Sequence, residues 1–201
     1  MIGLIRLIIK RLSMNNSYQF LRQKGNYRDL IAYQKAACIY DITYYFAHTY
    51  LEKGDRTIDQ MVQAARSGKQ NIAEGSSAST TSSETELKLM NVARASLQEL
   101  LTDYEDYLRV RGKTLWAVDS DKAVQTRRVC SQHNDPAYYT EKIAERSDET
   151  VANIAITLIH QEDVVLRKLI NRLQEDFVKE GGVREKMTKA RLEYRGKNKT
   201  N

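Results

Sequence analysis

An all-α fold, with four long helices running up-down-up-down and basic extensions at both ends, is what this sequence predicts. Three observations point there. A single proline, Pro136, stands in 201 residues, so little interrupts a helix. Apolar residues recur at alternating spacings of three and four over four separate stretches. The nine glycines fall largely at the ends or connections of those stretches. An apolar share of 41% is enough for one core, and one domain is the expectation for this length.

The first helix is expected over residues 29–53, stopped by Gly54, with Leu30, Tyr33, Ala37, Tyr40, Tyr44, Ala47 and Leu51 as its inward seam. Tyr33, Tyr40, Tyr44, Tyr45 and Tyr50 crowd this helix. Rings at helical spacing fill a core edge with the hydroxyl kept wet, whereas base-stacking platforms need basic neighbours, in which this helix is poor.

The second helix, 57–74, opens on a Thr57-x-x-Gln60 capping box and buries Ile58, Met61, Val62, Ala65 and Ile72. Gly68 falls on that apolar face, where it costs about 1 kcal/mol relative to alanine. A glycine kept there predicts a close helix crossing. Gly75 reads as the stop, and Ser76 to Ser83 as a polar hinge. Arg66, Lys69 and Gln70 point away from the apolar face, as solvated surface or as a contact patch.

The third helix, 84–111, follows a second box, Ser83-x-x-Glu86, and aligns Leu87, Met90, Leu97, Leu101, Tyr104 and Leu108. Ala93, Ala95 and Ser96 keep its middle thin. Asp103, Glu105 and Asp106 oppose the dipole at its end, so Arg109 and Arg111 are the expected partners. Gly112 stops it. Residues 113–147 are the least regular stretch, with a short helix over Asp121 to Gln132 and a turn at Asn134-Asp135-Pro136. The fourth helix, 148–179, starts after Ser147, carries Asp148 and Glu149 at its positive end and ends at Gly181-Gly182. Val151, Ile154, Leu158, Val165, Leu169, Leu173 and Phe177 face inward.

Net charge is +6, but its placement says more than its size. Residues 1–28 carry +6 and residues 183–201 carry +5, which leaves −5 on residues 29–182. The chain therefore divides into a basic N-terminal extension (1–26), a helical body (27–182) and a basic C-terminal tail (183–201). Basic arms bind polyanions by releasing counterions, a term independent of sequence; arms that only confer solubility are the competing reading. Met1 to Leu12 is apolar but broken by Arg6, Lys10 and Arg11, too short and interrupted to span a membrane. It reads as an amphipathic surface helix or as a stretch ahead of a start at Met14.

Reactive constellations are scarce. Cys38 and Cys130 lack paired-ligand spacing, so a reduced, cytoplasmic setting without a disulfide framework is expected. Cys130 and His133 form half a zinc spacing with nothing to complete it. His160 beside Glu162 and Asp163 lacks the second E-x-x-H of a di-iron bundle, so helix-surface polarity explains it. His48 stands alone, and Glu74 beside the Ser76–Ser83 hydroxyls has no base or oxyanion site to serve it. No catalytic set, metal site or cofactor site is expected.

Three stretches resemble a known family: Asn26-Tyr27-Arg28-Asp29-Leu30, Arg66-Ser67-Gly68-Lys69-Gln70-Asn71-Ile72-Ala73-Glu74-Gly75-Ser76, and Ala95-Ser96-Leu97-Gln98-Glu99-Leu100. The chain resembles the bacterial four-helix bundle family of rRNA intervening-sequence proteins and retroelement accessory variability determinants, in a variant with extended ends. The resemblance implies an up-down four-helix bundle assembled as a homopentamer with basic surface toward RNA or RNA/DNA. In the retroelement branch it implies a reverse transcriptase partner. Two function classes follow. The first is a non-catalytic, oligomeric nucleic-acid-binding accessory protein, with Arg66, Lys69, Arg94, Lys186, Lys189, Arg191, Arg195 and Lys197 as contacts. The second is a scaffold that binds protein partners without touching nucleic acid.

Overall fold

The computed structural model of this chain describes residues 26–197. Residues 1–25 and 198–201, and with them nearly all of the expected N-terminal extension and the choice between a surface helix and a start at Met14, lie outside the described residues. Among those described, a 3-10 turn over Tyr27–Asp29 leads into seven α-helices and no strand. They are α1 (Ile31–Tyr50), α2 (Arg56–Ala78), α3 (Ser83–Val110), α4 (Asp121–Gln132), α5 (Pro136–Ile143), α6 (Asp148–Glu180) and α7 (Val183–Lys197).

The all-α expectation holds; the up-down-up-down four-helix bundle does not. The stretch between α3 and α6 folds into two further helices, α4 where a short helix over Asp121 to Gln132 is expected and α5 where only a turn is, with α4 packed on α6 and α5 on α1, and the tail adds a seventh. Local chemistry explains the extra pair. Ser120 caps α4 by accepting from Ala123 N, and Asp135 caps α5 by accepting from Ala137 N, with Pro136 in the first turn where a missing N–H costs nothing. Their apolar faces then have somewhere to go: Ala123, Cys130, Tyr139 and Ile143 are buried.

Helix starts differ from the expected boxes by one or two residues. Asp55, rather than Thr57, caps α2 and accepts from Thr57 N; Ser82, rather than Ser83, caps α3 and accepts from Thr85 N. Ser147 caps α6 as read from sequence. Gly75 does not stop α2. The helix runs on to Ala78, and Gly75 is buried against α3, where a methyl group on it would stand 3.1 Å from Met90 Cε and 3.2 Å from Leu89 Cβ. Gly68 makes the close crossing that its place on the apolar face predicts: a methyl there would stand 2.7 Å from Leu97 Cδ2. Beside it Ser67 Oγ and Ser96 Oγ lie 2.9 Å apart, so the thin middle of α3 meets the thin middle of α2.

The expected seam of α1 is rotated. Ala32, Lys35, Ala36, Cys38, Ile39, Ile42, Thr43, Phe46 and Ala47 are the buried residues of the helix; of the expected seam Ala47 and Leu51 are buried, whereas Leu30, Tyr33, Ala37 and Tyr40 are half-buried and Tyr44 is exposed. The cause is that α1 is covered on three sides, by α2, α5 and α6, so the tyrosines stand at the margins of a wide buried arc. Tyr45 and Tyr50 donate to the carbonyls of Ala144 and Arg146 just ahead of α6, which keeps their hydroxyls satisfied. Deeper in, Phe46 sits 4.9 Å from the Tyr104 ring and 4.7 Å from Tyr107, and the buried Tyr104 hydroxyl donates to Thr43 Oγ1 at 3.0 Å. Phe177, read as inward, is 40% exposed, and Leu173 is the last buried residue of α6. The tail is not a formless arm: Val183–Lys197 is helical, after a break at Gly181, whose φ of 73° suits glycine.

Candidate functional site

The basic residues read as nucleic-acid contacts are spread over α2, α3 and α7. Arg66 and Lys69 lie on α2; Arg66 is exposed, while Lys69 Nζ rests 3.8 Å from the centre of the Tyr40 ring, a cation–π contact. Arg94 on α3 is committed elsewhere. Its Nε donates to Asp163 Oδ1 of α6 at 2.6 Å, and Arg167, also on α6, takes the other carboxylate oxygen at 2.9 Å. The remaining candidates share α7, which packs extensively on no other helix among the described residues. Lys189, Arg191 and Arg195 are exposed there together with Arg184, whereas Lys186 pairs with Glu180 at 2.7 Å. Lys197 closes the helix, and its side chain lies outside the described residues.

A second place, in the interior, is barely announced in the sequence. Lys35, on the Ala/Cys-rich face of α1, is 3% exposed, and its ammonium donates to the Cys130 carbonyl at 2.9 Å and to Gln161 Oε1 at 3.1 Å. Glu162, read from sequence as surface polarity, is fully buried, and neither carboxylate oxygen has a hydrogen-bond partner. Burial drives its pKa well above the usual carboxylate range; Lys35 opposes that rise and Asp163 adds to it. Burial likewise lowers the Lys35 pKa, against the pull of Cys130, Glu162 and Cys38. The only hint in the sequence is a lysine four residues before Ile39 in a stretch otherwise built for burial.

Above this cluster a cavity of about 570 Å³ opens between α1, α4 and α6, flanked by Leu115, Trp116 and Val118. The flanking segment is strapped to the start of α6. Lys113 Nζ lies 2.9 Å from Asp148 Oδ2, Thr114 N donates to Glu149 Oε2, Trp116 N donates to Asn153 Oδ1, and Asn153 Nδ2 donates back to the Thr114 carbonyl. Ile31, Leu115, Val118 and Val164 stand exposed at the walls, at 54%, 49%, 76% and 41%. Lys35, Arg127 and His160 supply the ionisable groups of the lining, which contains no aspartate or glutamate. Two buried polar atoms of lining residues, Trp116 Nε1 and Asn134 Oδ1, have no partner.

Neither place assembles a reaction centre from the residues considered in the sequence. Both cysteines are buried and unpaired; burial pushes the Cys38 thiol up to about 12 and raises Cys130, which keeps both protonated and poorly nucleophilic. His133 stacks flat on Tyr138, with ring centres 3.8 Å apart. Among the described residues no group of three or more His, Cys, Asp or Glu is placed to hold a metal ion, and no helix is long and apolar enough to cross a membrane. Comparison with protein-family models, with curated proteins and with solved structures finds no match to this chain.

Proposed function

We propose that this protein is a non-catalytic accessory factor of the cytoplasm that binds RNA or RNA/DNA through α7, working as a homo-oligomer in which weak contacts add. One observation carries the reading: Arg184, Lys189, Arg191 and Arg195 are exposed on a helix that stands apart from the core. Flexible or projecting basic elements neutralise phosphates without needing a shaped groove, and repetition around an oligomer raises the effective concentration of each contact. A reverse transcriptase is the protein partner that the family resemblance suggests.

The test is retention of a single-stranded RNA oligonucleotide on the purified full chain between about 50 and 200 mM salt, the range over which several phosphate contacts lose orders of magnitude in affinity. A triple variant, Lys189→Glu, Arg191→Glu and Arg195→Glu, is expected to remove retention and leave the far-ultraviolet dichroism unchanged. Binding that ignores salt, or that survives the triple variant, sinks the proposal.

The scaffold reading is favoured by a different fact: Arg94 and Lys186 already spend their charge on Asp163 and Glu180. It prevails if the full chain retains no RNA at any salt and still captures a purified protein partner.

A further inference from the structure

We propose that the cavity between α1, α4 and α6 binds a small amphipathic carboxylate: an apolar chain or ring with a carboxylate at one end and a hydroxyl or amide N–H close to it. The inference is independent of nucleic-acid binding. Its volume, about 570 Å³, falls in the range of pockets that enclose small organic ligands. The surface of its walls is mostly apolar, and four of the exposed large apolar residues, Ile31, Leu115, Val118 and Val164, gather around it. Clustered exposed apolar side chains at the mouth of a concavity mark a binding surface more than scattered ones do.

Polarity then selects the ligand. Arg127 from α4 lines the cavity with no ion pair among the described residues, and Lys35 lies at its inner side with two of its three donors used. With no carboxylate in the lining, an anion is the charge that fits. Trp116 Nε1 is a buried donor without an acceptor, which a carboxylate oxygen would satisfy; Asn134 Oδ1 is a buried acceptor without a donor, which calls for an N–H or O–H on the ligand. The chain's own apolar N-terminal stretch is the competing occupant. Residues 1–28 carry six basic residues and no acid, so their charge has the wrong sign for this lining.

Trp116 is the single tryptophan of the chain and lines the cavity, so its fluorescence reads occupancy directly in the full-length protein. The probes are N-octanoylglycine, which has an apolar chain, an amide N–H and a carboxylate; decanoate, which lacks the amide; and decyltrimethylammonium, which has the same kind of chain and the opposite charge. Saturable change with N-octanoylglycine, weaker change with decanoate and none with the cation is the expected order. Arg127→Ala, on the half-exposed side of α4, should weaken N-octanoylglycine binding roughly tenfold, the loss of one charge-assisted hydrogen bond, with the dichroism spectrum unchanged. Thr157→Phe, which fills the cavity from α6, should abolish the response. Equal binding of cation and anion, no saturable change with either carboxylate, or undiminished affinity in Arg127→Ala overturns the proposal. So does a saturable response to a peptide of residues 1–12 in place of the carboxylates, which would give the cavity to the chain's own N-terminus.

Discussion

The α2–α3 face and the α1–α4–α6 face are built to opposite rules. Along α2 and α3 the backbones close on each other through Gly68 and Gly75, leucine and methionine side chains fill the space a β-carbon would take, and paired serines satisfy each other. Where α1 meets α4 and α6, a lysine and a glutamate are buried in the interior, two carboxylate oxygens go unpaired and a cavity stays open. Dry, close packing with satisfied polar groups is what stability selects. Unsatisfied polar groups beside a hollow are a standing cost, and a fold keeps such costs where something else depends on them. The α2–α3 seam also opens, into an outer groove edged by Asp59, Glu99 and Asp103, so what sets the other face apart is a cavity with mostly apolar walls beside buried polar atoms that have no partner.

Removing the buried ammonium should do the most damage. Lys35→Met takes away the donors that serve the Cys130 carbonyl and Gln161 Oε1 in the interior. Leaving a buried acceptor without its donor costs about 1–3 kcal/mol, more where the lost donor was charged, and two acceptors are stranded at once. Urea unfolding at neutral pH should report a loss of that order. A change below about 1 kcal/mol would mean that the polar side of the comparison is as forgiving as an ordinary surface.

The close-packed face should answer next. Gly68→Val places a branched side chain where even a methyl group would stand 2.7 Å from Leu97, a residue only 2% exposed that has little room to turn aside. Overpacking of this kind costs about 1–3 kcal/mol. The same substitution at Gly54, where an added β-carbon meets nothing within 4 Å, separates steric from backbone effects, since its φ of 96° penalises any side chain. If Gly68→Val unfolds no earlier than the parent, α2 and α3 are not locked by their glycines.

How much of this was legible in the sequence follows the same division. Periodicity reveals the helices, because each long helix turns one apolar arc toward neighbours and the spacing survives in the sequence. It misplaces the seam of α1, since a helix covered on three sides has no single stripe to find. Gly68 was readable as a crossing because it interrupts an apolar face. Gly75 was not, since a glycine before a serine run looks the same whether it ends a helix or admits a neighbour. Glu162 was the hardest. Nothing in His160-Gln161-Glu162-Asp163 distinguishes the residue that is buried from those beside it, because its burial comes from elements distant in sequence: Lys35, which acts on it, lies 126 residues before its own hydrogen-bond partner Gln161. The cavity shares that origin: three helices distant in sequence enclose it.

The smallest effect is the most specific to the polar face, and its sign depends on pH. The Glu162 carboxyl is raised in the folded protein, chiefly by burial, so the folded state holds a proton that the unfolded chain releases near the ordinary value of 4.5. Below that value both states are protonated and its contribution is fully present. As pH rises past 4.5 the unfolded state loses its proton first, stability falls, and the fall continues until the folded carboxyl ionises as well. Lys35 and Asp163 are the charged groups that modulate it, the first opposing the shift and the second enlarging it. Glu162→Gln keeps the shape of the protonated acid and cannot ionise. Parent and variant should therefore unfold alike near pH 4, and the variant should become the more stable as pH approaches neutrality. Urea midpoints at several pH values would show the parent falling away along a steeper slope; parallel slopes would mean that Glu162 does not carry its proton into the fold, and that the polar face holds a charge the protein has found some other way to satisfy.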